Sequence, residues 1–113
     1  MLKIYHNPRC SKSRETLELI NKKGVAVEVV EYLKNVPSKK ELKDVLMKLH
    51  LKPEQVIRKS ETLYKEKLKG MKFSDEEWIQ VMIENPILIE RPIIVKNNKA
   101  VIGRPPENVL KLL

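Results

Sequence analysis

Met1-Leu2-Lys3-Ile4-Tyr5-His6-Asn7-Pro8-Arg9-Cys10-Ser11-Lys12-Ser13-Arg14 opens the chain and decides its reading. Leu2–His6 alternates and is rich in strand formers, which predicts a β-strand. From Ser11 to about Lys23, Leu17, Leu19 and Ile20 recur among polar residues and Gly24 follows as a stop, which predicts a helix. Val25–Tyr32 is β-branched and reads as a second strand. Strand, helix and strand with short joins make a βαβ unit with parallel strands. Cys10 then falls where the first strand hands over to the helix. A thiol there faces unpaired backbone N–H groups and the positive end of the helix dipole, and both favour the reactive thiolate. His6, Arg9, Lys12 and Arg14 surround it in sequence.

Working outward, the middle of the chain reads as helical. Ser38-Lys39-Lys40-Glu41 matches a capping box ahead of Leu42, Val45, Leu46 and Leu49. Pro53 can open a short helix to Arg58, and Ser60–Leu68 reads as a further helical piece. Ser74-Asp75-Glu76-Glu77 is a second capping box, starting a helix with Trp78, Val81, Met82 and Ile83 that Asn85-Pro86 ends. The last third returns to β: Pro92–Val95 and Ala100–Gly103 flank Lys96-Asn97-Asn98-Lys99 as a hairpin, and Pro105-Pro106-Glu107 opens a final helix through Leu113. The expected fold is α/β and thioredoxin-like, with a helical insert between βαβ and ββα halves, in one domain spanning residues 1–113. In that topology the strand after Pro92 lies beside the first strand, so the Arg91-Pro92 bond would face the Cys10 loop. Proline there is a candidate cis-proline.

Composition bounds the partners. The chain has 113 residues, 42% hydrophobic and 34% charged, which suits one soluble globular domain. Its net charge of +8 favours anionic partners. The lysines are interspersed with glutamates along apparent helices, a solvated pattern, and aromatics are only 4%, so nucleic acid is not an expected partner. No apolar run spans a bilayer and no leader pattern opens the chain, so no membrane association and a cytoplasmic location are expected.

One cysteine excludes an internal disulfide and a cysteine-rich zinc site. With His6 and His50 far apart in sequence, no bound metal is expected. Cys10-Ser11-Lys12-Ser13 is a Cys-x-x-Cys pattern whose second thiol is replaced by Ser13, so redox chemistry at Cys10 needs an outside thiol to finish each cycle. Ser13, one helical turn on, could hydrogen-bond the thiolate. His6 either helps set the ionisation of the cysteine or only shapes the loop. A buried, inert thiol is the ordinary reading of a lone cysteine; its place among cations between strand and helix favours reactivity. Arg58, Arg91 and Arg104 each fall at the end of an element. Singly each is an ordinary surface or structural residue; together they suit a tetrahedral oxyanion, which planar guanidinium groups bind bidentately.

His6-Asn7-Pro8-Arg9-Cys10-Ser11-Lys12-Ser13-Arg14-Glu15-Thr16-Leu17 resembles the active-site segment of glutaredoxin-dependent arsenate reductases in the ArsC/Spx family, His-Asn-Pro-x-Cys-Gly-Thr-Ser-Arg-x-Thr-Leu. The resemblance runs nearly end to end. It continues through Tyr32-Leu33-Lys34-Asn35-Val36-Pro37-Ser38, Ile57-Arg58-Lys59, Asn85–Val95 and Gly103-Arg104-Pro105. It implies a nucleophilic Cys10, oxyanion-binding Arg58, Arg91 and Arg104, and a thiolate stabilised by His6 and Ser13. It also implies arsenate or a similar oxyanion as substrate, no bound cofactor, glutathione and glutaredoxin as external reductants, and action as a monomer. Ser11-Lys12 stands where the family has Gly-Thr, which removes a glycine and a hydroxyl beside the nucleophile and adds a charge. Two other readings follow from the same resemblance. One is a regulator of the Spx branch that contacts RNA polymerase, although this chain lacks the second thiol of that branch's redox switch. The other is a thiol oxidoreductase acting on another substrate.

Overall fold

The computed structural model describes residues 2–113. It forms two compact units: the described residues up to Asn35 together with Arg91–Leu113, and the inserted segment Val36–Glu90.

In the first unit, β1 (Leu2–His6), α1 (Ser11–Lys22) and β2 (Val27–Glu31) follow the expected order, and β3 (Ile93–Lys96) and β4 (Lys99–Ile102) return as a hairpin. The sheet order is β2-β1-β3-β4. β1 and β2 are parallel, with Leu2 opposite Val27 and His6 opposite Glu31. β3 runs antiparallel to β1, with Ile4 opposite Ile94, and antiparallel to β4. The architecture is thus α/β with the thioredoxin-like strand order. Leu2, Ile4, Ile20, Ile94, Val109 and Leu112 form the core, joined by Leu17, Leu19, Val27 and Val101. Period two along β1 and period near 3.6 along α1 put these residues on facing surfaces. α1 ends where expected: Lys23 closes it and Gly24 takes φ +69. The hairpin turns through Asn97 at φ 56, a conformation asparagine tolerates. The Arg91-Pro92 bond is cis, as the sequence suggested, and so is Arg104-Pro105.

The hairpin strands are shifted by one residue from expectation, and two other elements of this unit differ further. β2 starts at Val27 rather than Val25, because Val25 and Ala26 follow the Gly24 turn as exposed residues and β2 is an edge strand. The closing segment Pro106–Leu112 is a 3-10 helix rather than an α-helix. Its buried residues, Pro106, Val109 and Leu112, recur every third position, and a 3-10 helix stacks i and i+3 on one face.

The inserted unit holds α2 (Lys39–Leu49) and α3 (Asp75–Glu84) with short turns between and after them. The Ser38 hydroxyl accepts the Glu41 N–H at 3.1 Å, and His50 closes α2 in the left-handed region. Ser74 and Glu77 form the full reciprocal capping box of α3 at 3.2 and 2.9 Å. Pro53–Val56 is a 3-10 turn, and Tyr64–Leu68 winds as a π-helix. Leu42, Val45 and Leu46 of α2 and Trp78, Ile79 and Met82 of α3 are buried, and Phe73 meets Trp78 edge-on at 4.9 Å. An antiparallel bridge between Ile57 and Ile89 ties the turn after Pro53–Val56 to the segment that closes the insert. No helix among the described residues is long and apolar enough to cross a membrane.

Candidate active site

Cys10 is the N-cap of α1, with extended backbone at φ −96 and ψ 122. Its N–H donates to Asn7 O at 3.0 Å, closing the turn after β1, and its carbonyl accepts the Arg14 N–H at 3.0 Å as the first bond of α1. The side chain is therefore held at the end of the helix, half-buried. Burial pushes the Cys10 thiol up, but four groups outweigh it: the backbone N–H of Ser13, the Arg91 guanidinium, the charge of Arg104 and the backbone N–H of Lys12. The net result is a thiol held below the usual range.

The two arginines flank the open end of the β3–β4 hairpin, where Ile93 pairs with Ile102. Arg91 is buried and precedes Pro92; its guanidinium hydrogen-bonds the Cys10 sulfur. Arg104 follows β4; its Nη2 donates to Cys10 Sγ at 3.3 Å and its Nε donates to Arg91 O at 2.8 Å. The hairpin thus delivers two cations to one sulfur, with the second cation anchored on the backbone of the first.

His6, Asn7 and Ser13 form a buried cluster beneath the loop. His6 Nδ1 lies 2.6 Å from Ser13 Oγ, which also accepts the Asn7 N–H at 3.0 Å. Burial holds the His6 ring below its usual value against the opposing charge of Glu31, and Arg14 adds to the lowering, so the ring is neutral at neutral pH. A neutral Nδ1 can take the Ser13 hydroxyl proton while the same oxygen accepts from Asn7. Ser13 therefore meets the sulfur through its backbone N–H, while its hydroxyl ties His6 to the Asn7 turn. Lys12 turns its side chain toward Glu15, 3.6 Å away on the exposed face of α1.

Arg58 belongs to the inserted unit. Its N–H donates to Leu88 O at 2.7 Å, its Nε donates to Glu61 Oε2 at 3.3 Å, and its Nη1 donates to Glu90 Oε1 at 2.9 Å. Burial works against its charge, but the two carboxylates prevail and hold Arg58 above the usual arginine range. Among the described residues no group of three His, Cys, Asp or Glu side chains could hold a metal ion.

Residues 5–112 match the model of the ArsC family. The chain belongs to the ArsC family. An uncharacterised Escherichia coli K12 protein, YfgD, is 51% identical to it over 99% of this chain and 96% of its own length. A Neisseria meningitidis serogroup A arsenate reductase is 43% identical over 99% and 97%. The solved structure of an arsenate reductase from Vibrio cholerae superposes with a TM-score of 0.94 at 48% identity, covering 99% of this chain and 97% of that one. The mixed α/β, thioredoxin-like architecture is therefore the family fold.

Sequence reasoning did not find the residues that hold this ArsC-family site in shape. Arg14 Nη1 donates to Pro8 O at 3.0 Å, and Asn7 Oδ1 accepts the Arg9 N–H at 3.0 Å, so the loop before Cys10 is braced from both sides. Gly103 is the other such residue. Its N–H donates to Pro92 O at 2.9 Å, and a Cβ placed on it would sit 2.7 Å from Thr16 Oγ1 and 2.8 Å from Pro92 Cγ. Thr16 cannot retreat easily, because it is fully buried and its hydroxyl donates to Lys12 O at 2.8 Å. Gly103→Ala is expected to lower stability by about 1–3 kcal/mol, the usual effect of overpacking, and to slow Cys10 alkylation as Arg104 is displaced. Urea unfolding together with iodoacetamide kinetics checks both; an unchanged midpoint would mean that the β4 end moves freely.

Proposed function

We propose that the protein is an arsenate reductase that draws its electrons from glutathione and glutaredoxin. The observation that carries this reading is the convergence of Arg91, Arg104 and the N-terminus of α1 on the sulfur of Cys10. Such a site favours a thiolate and an incoming tetrahedral oxyanion at the same point. The relatives named arsenate reductase support the choice of oxyanion. In this mechanism arsenate docks on the arginines and the Cys10 thiolate attacks arsenic. An arsenate oxygen takes protons and leaves as water, giving a covalent Cys10–arsenate adduct. The chain has no second cysteine, so glutathione attacks next and a further oxygen leaves as water. A glutaredoxin thiolate then takes the glutathione sulfur as a mixed disulfide, the electron pair of the broken As–S bond reduces As(V) to As(III), and a water molecule displaces the Cys10 sulfur from As(III), releasing arsenite and the free thiol. The arginines stabilise the charge on the oxyanion throughout, and no metal or bound cofactor takes part. His6 and Ser13 keep the loop in the shape that aims backbone N–H groups at the sulfur. Residues 1–113 work as one ArsC-type domain, as a cytoplasmic monomer.

Arg58 enters this reading as the third oxyanion ligand. Because Glu61 and Glu90 already occupy its guanidinium, an anion must compete with two carboxylates. Glu90→Gln is then expected to lower KM for arsenate about fivefold, the equivalent of ~1 kcal/mol released from one ion pair, with kcat little changed. If Arg58 serves only to clamp the insert, Glu90→Gln will lower the melting temperature and leave KM where it was.

The deciding experiment is arsenate-dependent NADPH oxidation with glutathione, glutaredoxin and glutathione reductase, with each component left out in turn. Turnover that needs all of them supports the reading. No turnover from a protein whose Cys10 still alkylates rapidly at neutral pH rejects arsenate as the substrate and leaves an activated thiol serving another one.

A further inference from the structure

Asn108 lies in the closing 3-10 helix, Pro106–Leu112. Its backbone N–H donates to Pro105 O at 3.0 Å. Its side-chain Nδ2 donates to two carbonyl oxygens, Ile102 O and Arg104 O, each at 3.1 Å. Both partners are acceptors, so the amide nitrogen must face them, and its two protons are both used. These carbonyls stand on either side of Gly103, at the end of β4 and at Arg104 itself. One side chain therefore spans the whole join from which Arg104 projects.

We infer that Asn108 is a positioning residue for Cys10, acting by fixing the backbone from which the Arg104 guanidinium reaches the sulfur. Three contacts define where that guanidinium starts. Gly103 N–H is bound to Pro92 O, the bare face of Gly103 lies against Thr16 and Pro92, and the Arg104 carbonyl is bound by Asn108. The first two hold the residue before Arg104; only the third holds the peptide after it. From that base the side chain reaches Arg91 O through Nε and Cys10 Sγ through Nη2. A long side chain amplifies a small turn of its own backbone, and displacement of a charged donor by about 1 Å is enough to cost about 100-fold in a reaction. Asparagine suits the position because it carries two donors on one nitrogen. Serine offers one donor, aspartate none and alanine none.

The inference rests on Cys10 being the reactive atom and not on which oxyanion it meets, so the readout is the thiol itself. The pH dependence of iodoacetamide alkylation, taken at low temperature where all variants are folded, gives the Cys10 pKa. The groups facing the sulfur are Arg91, Arg104 and the backbone N–H groups of Lys12 and Ser13; only the Arg104 contact depends on Asn108. Asn108→Ser and Asn108→Ala are expected to raise the Cys10 pKa by about one unit, the order of losing one charge-assisted hydrogen bond to a thiolate. In an Arg104→Ala background the same substitutions should raise it no further. Val109→Ala, which opens the buried core beside Asn108, should lower the melting temperature without moving the thiol. An unmoved pKa in both Asn108 variants, an equal further rise in the Arg104→Ala background, or a matching shift in Val109→Ala would each overturn the assignment. If arsenate turnover proves absent but the thiol shifts as described, the positioning role stands and only the substrate changes.

Discussion

Cys10→Ser is expected to bring arsenate-dependent turnover below detection while leaving the fold and the anion site in place. An alcohol ionises so far above neutral pH that no arrangement of neighbours supplies a useful alkoxide, whereas a thiol held below its usual range yields its thiolate more readily. The cations around position 10 do not depend on sulfur: Arg104 keeps its bond to Arg91 O and Arg91 stays buried. Arsenate should therefore still bind, and isothermal titration of the variant checks this. Loss of both binding and turnover would mean that the sulfur organises the site rather than reacting in it. Stability gives an independent check with a definite sign. An acid whose folded pKa is depressed stabilises the folded state fully above its unfolded value, and that stability is lost as pH falls through the folded value. The stability of the parent relative to Cys10→Ser should thus grow with pH between the depressed value of Cys10 and the ordinary thiol value. A difference that is flat across that window would contradict the lowered pKa.

The parts of the site that were legible in the sequence are those set by local chemistry. A period-two run, a helical run and a glycine stop placed β1, α1 and the first join, and the join placed Cys10 at a helix end. The hairpin pattern after Pro92 turned Arg91 toward the Cys10 loop, because a strand beside β1 must present its start there, and Arg104 was legible only as a residue at the end of an element. What could not be read lies in contacts between distant positions. Glu90 meets Arg58 because the Ile57–Ile89 bridge brings the middle of the insert beside its last residues. Asn108 has no signal at all in Pro105-Pro106-Glu107-Asn108, since its meaning depends on two carbonyls of the preceding turn. Gly103 looks like an ordinary strand-end glycine until Thr16 and Pro92 are seen against it. Ser13 was expected to serve the thiolate with its hydroxyl. The fold turns that hydroxyl toward His6 and Asn7, and the backbone N–H faces the sulfur instead. The final 3-10 helix was not legible: Pro106, Val109 and Leu112 repeat by three, a spacing that falls on one face of an α-helix as well as of a 3-10 helix.

Arg104→Ala is expected to lower kcat/KM for arsenate by about 10²–10³, the loss that follows removal of one donor aimed at developing negative charge. The guanidinium acts twice. Before the reaction it supplies a hydrogen bond and a charge to Cys10 Sγ at 3.3 Å, so its loss raises the thiol pKa and reduces the thiolate available at neutral pH. During the attack it is placed to face the oxyanion beside the sulfur. Arg104→Lys separates the two contributions. A lysine restores a cation but offers one nitrogen, which cannot reach both Arg91 O and the sulfur as the fork of Nε and Nη2 does. The lysine variant should therefore recover most of the alkylation rate, which senses charge at the sulfur, and little of kcat/KM, which senses geometry. Measuring both rates on the three proteins tests the division. Equal recovery of both would assign Arg104 a purely electrostatic part, and an unchanged kcat/KM in Arg104→Ala would remove it from the site.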